Sequence, residues 1–350
     1  MDFYDFFSGC GGTSQGMWEA GLRVRLGIDF DPDAARTYRT NFPKADFIRR
    51  DIRRLKVKDI APHVEGRAGP KLFGACAPCQ PFSKQGRARE RQDGRKDLLR
   101  EFHRFVRAYK PEYVFIENVP GLQSIDDVHG PFARFLRLLT KLGYWHCHNV
   151  IYACHYGVPQ RRRRLVLIAS RLGPISFPKP THGPHGRNKQ LPTVWEAIGH
   201  LPPIKAGQTH PRVPNHRAMQ LSALNLKRIK ATKSGGTRVR WPSNLVLACH
   251  KDYVGHTDVY GRMAKNLPSA ALTTRCISLS NGRFGHPTQH RAISVREAAC
   301  LQTFPMEFEF LGNLGSMSRQ VGNAVPAAMA RVFGTAIRRH YRRYRMKALR

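Results

Sequence analysis

Short apolar runs alternate with amphipathic stretches through the first half of the chain. Residues 3–8, 23–30, 72–76, 113–117, 144–153 and 164–169 read as strands bounded by turn residues. Residues 13–20, 32–41, 98–109 and 131–142 carry helical spacing between them. Thr13 or Ser14 is the expected cap of the first helix, and Pro32 suits the first position of the second. This strand–helix alternation predicts an α/β fold, an open, doubly wound, mainly parallel sheet with helices on both faces. Ligands of such sheets sit outside the carboxyl ends of the strands. Gly9, Asp29, Cys79 and Glu117 all fall at or just after a predicted strand end.

The pattern changes after residue 170. Nine prolines punctuate residues 171–215, and an irregular region runs on to about residue 275, with Gly235-Gly236 and Trp241-Pro242 as turn signals. Regular structure returns at residues 294–301, where Ser294 and Glu297 have the spacing of a capping box. A last helix is expected from about residue 326 to 344. No internal repeat is visible.

Charge adds a partner to this picture. Lys and Arg total 59 against 24 acids, a net charge of +35, and between Val128 and Lys251 the only acid is Glu196. A solvated basic surface explains a short run of this kind. More than a hundred residues nearly free of acids would repel one another unless a polyanion lay against them, which points to nucleic acid. No stretch reaches the roughly 18 apolar residues of a membrane span. The acidic start MDFYDFFSGCGG does not resemble a signal peptide, so a cytoplasmic location is expected. The eight cysteines show no disulfide framework and are expected to be reduced.

Several segments carry chemistry. The loop Phe6-Phe7-Ser8-Gly9-Cys10-Gly11-Gly12 leaves a predicted strand and enters a helix, where glycines let a ligand approach the backbone. Asp29 follows about 20 residues on, the spacing at which a carboxylate takes ribose hydroxyls. Together they suggest an adenosine-containing cofactor; a tight turn beside a surface acid is the plainer alternative. Cys76-Ala77-Pro78-Cys79 matches C-x-x-C, but no second half of a zinc site exists, and a redox pair would open a helix where Gln80-Pro81-Phe82-Ser83 continues as loop. Cys76 then reads as a core thiol and Cys79 as a nucleophile, with no metal site expected. Glu117 ends the strand some forty residues later. In Gln160-Arg161-Arg162-Arg163-Arg164, strand alternation would put Arg162 and Arg164 on one face, toward a site or toward phosphate.

These segments resemble the DNA (cytosine-5-)-methyltransferases of bacterial type. The matching stretches, in family order, are DFFSGCGG, Asp29, Asp51 in RRDI, GACAPCQPFS, FIENV, YGVPQRRRRLVLIA, SVREAACLQTFP and QVGNAVP, spanning nearly the whole chain. The resemblance implies a Rossmann-like, S-adenosylmethionine-dependent catalytic domain over residues 1–175. A smaller, irregular target-recognition region follows over 176–280, and a segment over 281–350 returns to the catalytic domain. It implies that Cys79 attacks carbon 6 of a flipped cytosine and that Glu117, its pKa raised by burial, holds ring nitrogen 3 and the amine. Arg164 and Arg162 would neutralise the carbonyl oxygen. The cofactor contacts would be Phe7, Gly9, Gly11, Asp29, Asp51 and Asn323, with a backbone contact from Leu98 or Leu99. Residues 83–97 correspond to the loop that closes over DNA. Double-stranded DNA is the implied partner, bound by a monomer associated with the nucleoid, with a cognate restriction endonuclease as functional partner.

Three competing readings explain less. A tRNA-methylating relative would carry a smaller, less basic variable region. A nicotinamide-dependent oxidoreductase leaves Cys79, Glu117 and the arginines without a task. A non-enzymatic DNA-binding module has no need of the glycine loop. The recognised DNA sequence is not legible; Arg238, Arg240, Lys251 and Tyr253 are the candidate contacts.

Overall fold

The computed structural model describes residues 1–77, 98–122, 129–250, 255 and 257–348. Cys79, residues 83–97, Lys251 and Tyr253 lie outside the described residues. The chain divides into two compact units. The first comprises Met1–Tyr152, Arg163–Lys179 and Val325–Arg350; the second comprises Ala153–Arg162 and Pro180–Ala324.

The first unit alternates strands and helices as its apolar pattern demands. In order they are β1 (Asp2–Phe6), α1 (Gly12–Glu19), β2 (Arg23–Asp29), α2 (Pro32–Asn41), β3 (Asp46–Arg49), α3 (Ala61–Val64), β4 (Lys71–Ala75), α4 (Leu98–Tyr109), β5 (Tyr113–Asn118), α5 (Pro131–Lys141), β6 (Trp145–Tyr152) and β7 (Arg163–Ser170). The seven strands form one sheet in the order β3-β2-β1-β4-β5-β7-β6. The first five in that order are parallel, whereas β7 runs antiparallel to both β5 and β6. Strand order reverses between β1 and β4, so the topological switch point lies there.

β1 and β5 are buried at every position, as expected of strands covered on both faces. On one face, Phe6 packs against Phe73, Phe102 and Phe105 at ring-centroid distances of 5.2, 5.0 and 5.1 Å, which seats α4. On the other, Phe115 meets Phe333 at 5.8 Å. Phe333 belongs to the closing helix of the chain (Ala327–Ala348), which rejoins the first unit after Val325. β3 was not expected: only Phe47 and Ile48 are apolar in it, too short a run to show period-2 alternation. The cap expected at Thr13 or Ser14 is instead Gly11, in the left-handed region at φ 101°.

The second unit holds α6 (Val194–Ile198), α7 (Ala223–Ala231), α8 (Val295–Leu301) and α9 (Leu314–Asn323), so that the closing helix is α10. Short turns and isolated bridges join them. The Ser294–Glu297 capping box forms at α8. Glu297 also binds the buried Arg291 through both guanidinium ends, at 2.7 and 2.6 Å. Residues 281–324 belong to this unit, so the chain returns to the sheet unit at Val325 rather than at 281. The reason is local: His286, Arg291, Ser294 and Glu297 hydrogen-bond among themselves and with Ile204 and His216, and so stay with the region before them. Among the described residues, no helix is long and apolar enough to cross a membrane.

Candidate active site

The carboxyl edge of the sheet collects the chemistry of the first unit. Phe6 pairs with Ala75 in the parallel register of β1 and β4, so the glycine loop and the segment leading to Cys79 leave neighbouring strands at the switch point. Phe7 takes φ 58° and Gly9 φ 51°. The left-handed region is costly for a phenylalanine, and such strain collects at ligand sites. The loop is laced down: Ser8 N–H donates to Ile28 O at 3.0 Å, and Gly9 N–H donates to Asp29 Oδ2 at 2.9 Å. A Cβ on Gly9 would meet nothing within 4 Å, so the backbone there faces open space.

Asp29 ends β2 and also accepts the Asp31 N–H on Oδ1 at 3.0 Å. Burial raises its pKa above the ordinary carboxylate value, and the backbone N–H donors oppose that rise. Directly after it stands Phe30, 69% exposed. The sequence reading passed over Phe30, although an aromatic next to the strand-end acid was a readable signal. Asp51 caps the short turn Ile52–Arg54 and accepts from Arg53 Nε at 3.0 Å, which lowers its pKa. Leu98 and Leu99 are buried at the start of α4.

Beneath the loop lies a polar chain inside the core. Ser14 Oγ donates to Asp5 Oδ2 at 2.6 Å, and the Tyr38 hydroxyl lies 2.9 Å from Ser14 Oγ. Asp5 is fully buried, and Oδ1 has no hydrogen-bond partner among the described residues. Burial raises this carboxyl to about 7.

The end of β5 delivers Glu117 and Asn118. Glu117 is buried, and its Oε1 lies 2.7 Å from Arg164 Nε. Arg164 reaches it because β7 is antiparallel: Glu117 pairs with Val166 and Asn118 with Leu165, so the beginning of β7 meets the end of β5. Desolvation lowers the Arg164 guanidinium from its ordinary value, and the Glu117 charge opposes that shift. Asn118 donates from Nδ2 to Ala77 O at 3.1 Å, tying down the backbone two residues before Cys79. This anchoring role was missed, because no spacing rule announces a contact across 41 residues. Cys76 lies 3.3 Å from Thr13 Oγ1, and burial first, then Glu117, pushes its thiol well above the ordinary range. It is a poor nucleophile there, as is Cys10, which burial pushes up to about 12. The described cysteines are all free.

Arg162 is not part of β7. It lies in the second unit, before β7 begins, and is buried. Its Nη1 donates to Leu272 O at 2.9 Å and Gly322 O at 3.1 Å. Gln160, two residues earlier, joins Gln302 and the Leu272 N–H. The front of the arginine strip therefore braces the second unit. Asn323, the last residue of α9, is exposed in that same unit. The Gly322-Asn323 pair thus closes a helix.

A mainly parallel switch-point sheet with an anchored glycine loop and a glutamate–arginine pair at its carboxyl edge is a Rossmann-like arrangement. The chain belongs to the C-5 cytosine-specific DNA methylase family, whose model matches residues 1–339. It is 38% identical over 341 residues to the Type II methylase M.HgiDII of Herpetosiphon aurantiacus, covering 96% of this chain and 94% of that one. To the Type II methyltransferase M1.HphI of Haemophilus parahaemolyticus it is 33% identical over 340 residues, covering 96% and 86%. Among solved structures, its fold is similar to that of a protein assigned as a DNA modification methyltransferase encoded within an E. coli prophage. That match has a TM-score of 0.76 at 22% identity, over 97% of this chain and 99% of the other.

Proposed function

We propose that this chain methylates carbon 5 of a cytosine at a defined site in double-stranded DNA, with S-adenosylmethionine as donor and Cys79 as the attacking group. The Glu117–Arg164 pair carries this reading, at 2.7 Å on the edge where Asn118 holds Ala77. It supplies an acid and a cation beside the segment that bears the thiol.

Carbon 5 of cytosine is too weak a nucleophile to take a methyl group unaided. The Cys79 thiolate adds to carbon 6, and the ring electrons pass toward nitrogen 3 and the carbonyl oxygen. Glu117 holds nitrogen 3 and the exocyclic amine; Arg164 faces the carbonyl oxygen as charge builds there. Arg162 would act only through its brace on Leu272 and Gly322. When bound, S-adenosylmethionine supplies an electrophilic methyl to carbon 5. Loss of the carbon 5 proton restores the ring double bond and expels the thiolate. The base must leave the duplex first, at a cost of about a few kcal/mol.

The residues suit the donor. The open backbone at Gly9, the left-handed Phe7 and Gly11, and the exposed Phe30 beside Asp29 form a cradle with an aromatic wall. Asp29 would take ribose hydroxyls, Phe30 and Phe7 the flat and apolar parts, and Asp51 the adenine amine; Asn323 is the remaining candidate. The protein would act as a monomer in a restriction-modification system, protecting DNA from a cognate endonuclease.

A duplex carrying 5-fluorocytosine tests the covalent route, because fluorine cannot leave as a proton does. With the donor present, the wild-type protein should form an adduct that survives denaturation, and Cys79→Ser should form none. Turnover of the ordinary duplex without any adduct on the fluorinated one would refute it.

A further inference from the structure

Residues 232–241 of the second unit form a loop pinned at both feet. On one side, Gly235 N–H donates to Met263 O at 3.2 Å, Arg283 Nη1 to Gly235 O at 2.9 Å, and Arg262 N–H to Gly236 O at 3.0 Å. On the other, Trp241 is buried, its Nε1 donates to Thr232 Oγ1 at 2.8 Å, and its ring lies 5.5 Å from that of Tyr260. The Arg228 guanidinium stands 5.7 Å from the Trp241 ring and 5.5 Å from the Tyr260 ring. Between the feet runs the single turn Arg238–Arg240, closed by Trp241 N–H on Arg238 O at 3.1 Å.

The turn sorts its residues. Arg238 is buried, and its Nη2 donates to Gly255 O at 2.7 Å. Val239 is 65% exposed, and Arg240 is exposed beside it. A lone exposed valine is unremarkable in itself. This one is more exposed than the next such residue of its unit, Leu267 at 52%. It sits on a fixed turn next to an arginine, within residues 197–250 that contain no acid. Exposed Lys227 and Lys230 stand on the adjoining α7. Lysines on such a surface suffice for phosphate. A rigid apolar tip paired with an arginine adds what phosphate does not require: a methyl-sized contact and a planar donor fork at fixed separation.

We propose that Val239 and Arg240 read base edges in the major groove, Arg240 taking O6 and N7 of a guanine and Val239 the methyl group of an adjacent thymine. Arg238 is the positioning residue that holds the turn. The proposal rests on the DNA reading above and deepens it by naming the specificity element.

The test is bisulfite sequencing of a randomised duplex library after methylation by the full-length protein and its variants. Wild-type protein must methylate a defined sequence; no methylation of any duplex would overturn the DNA reading itself. Val239→Ala should lose about tenfold or more of its discrimination at one thymine, and Arg240→Ala as much at the neighbouring guanine, with other positions unchanged. Lys227→Ala should instead slow methylation evenly on every sequence. If Val239→Ala and Arg240→Ala keep the wild-type sequence profile, whether their rates fall or not, the base-reading assignment is wrong while the DNA reading stands.

Discussion

Asp5→Asn should make the protein more stable at pH 8 and leave it unchanged near pH 4. Asp5 is fully buried at the end of β1, one oxygen taken by Ser14 and the other with no partner among the described residues. Burial dominates and raises the carboxyl from 3.8 to about 7, with the nearby Asp29 adding to the rise and Ser14 opposing it. A raised folded-state pKa means that the folded chain holds this proton more tightly than the unfolded chain. The contribution is therefore complete below the unfolded value and is lost as pH climbs toward 7. At about 1.4 kcal/mol for each tenfold in proton affinity, the full loss is roughly 4 kcal/mol. Asparagine keeps the shape, can still accept from Ser14, and does not titrate. Urea unfolding of both proteins at half-unit steps from pH 4 to pH 8 isolates the effect, because titrating groups not coupled to Asp5 cancel in the difference. The variant should gain about 2 to 4 kcal/mol on wild type across that window, nearly all of it below pH 7.5. Parallel stability curves would show that Asp5 does not hold a proton in the folded state, and would refute the reasoning.

Other substitutions probe the frame around the site. Asn118→Ala removes the bond to Ala77 O and should cost about 1–2 kcal/mol of stability. It should lower kcat well beyond what that loss explains, measured as methyl transfer at a temperature where both proteins are folded. Gly322→Ala would drive a Cβ into Thr273 O; the backbone must move, and melting temperature should fall by several degrees, with a loss of about 2 kcal/mol or more. Phe30→Ala touches an exposed ring and should leave thermal stability unchanged. By calorimetry it should weaken S-adenosylmethionine binding by about tenfold, in line with roughly 1–3 kcal/mol for stacking of a base on an aromatic ring.

The central elements were legible because their signals are local. Residues 32–41 carry a helix with the expected ends, the helix expected over 98–109 closes at Tyr109, and the capping box at Ser294 forms as its spacing demands. β3 was missed for want of apolar length, and no helix was expected over the residues of α9. Within the arginine strip, strand alternation was carried back to Arg162 from a strand expected over 164–169. The strand begins at Arg163, and Arg162 instead satisfies carbonyls more than a hundred residues away.

By itself the sequence determined that an α/β sheet presents a glycine loop, an acid, a cysteine segment and a glutamate at strand ends, because each lies within a few residues of an apolar run that can only be a strand. It also determined a strongly cationic second half. Tertiary structure alone decided which arginine meets Glu117. A strand that starts with arginines would, in a parallel sheet, put them at the edge away from the site. The antiparallel course of β7 brings Arg164 to the carboxyl edge, and strand direction is a property of pairing, not of the strand. The same holds for Arg238 and Arg240, two residues apart and alike in sequence. One is drawn inward by the Gly255 carbonyl and the other left in water, a difference set by partners far along the chain.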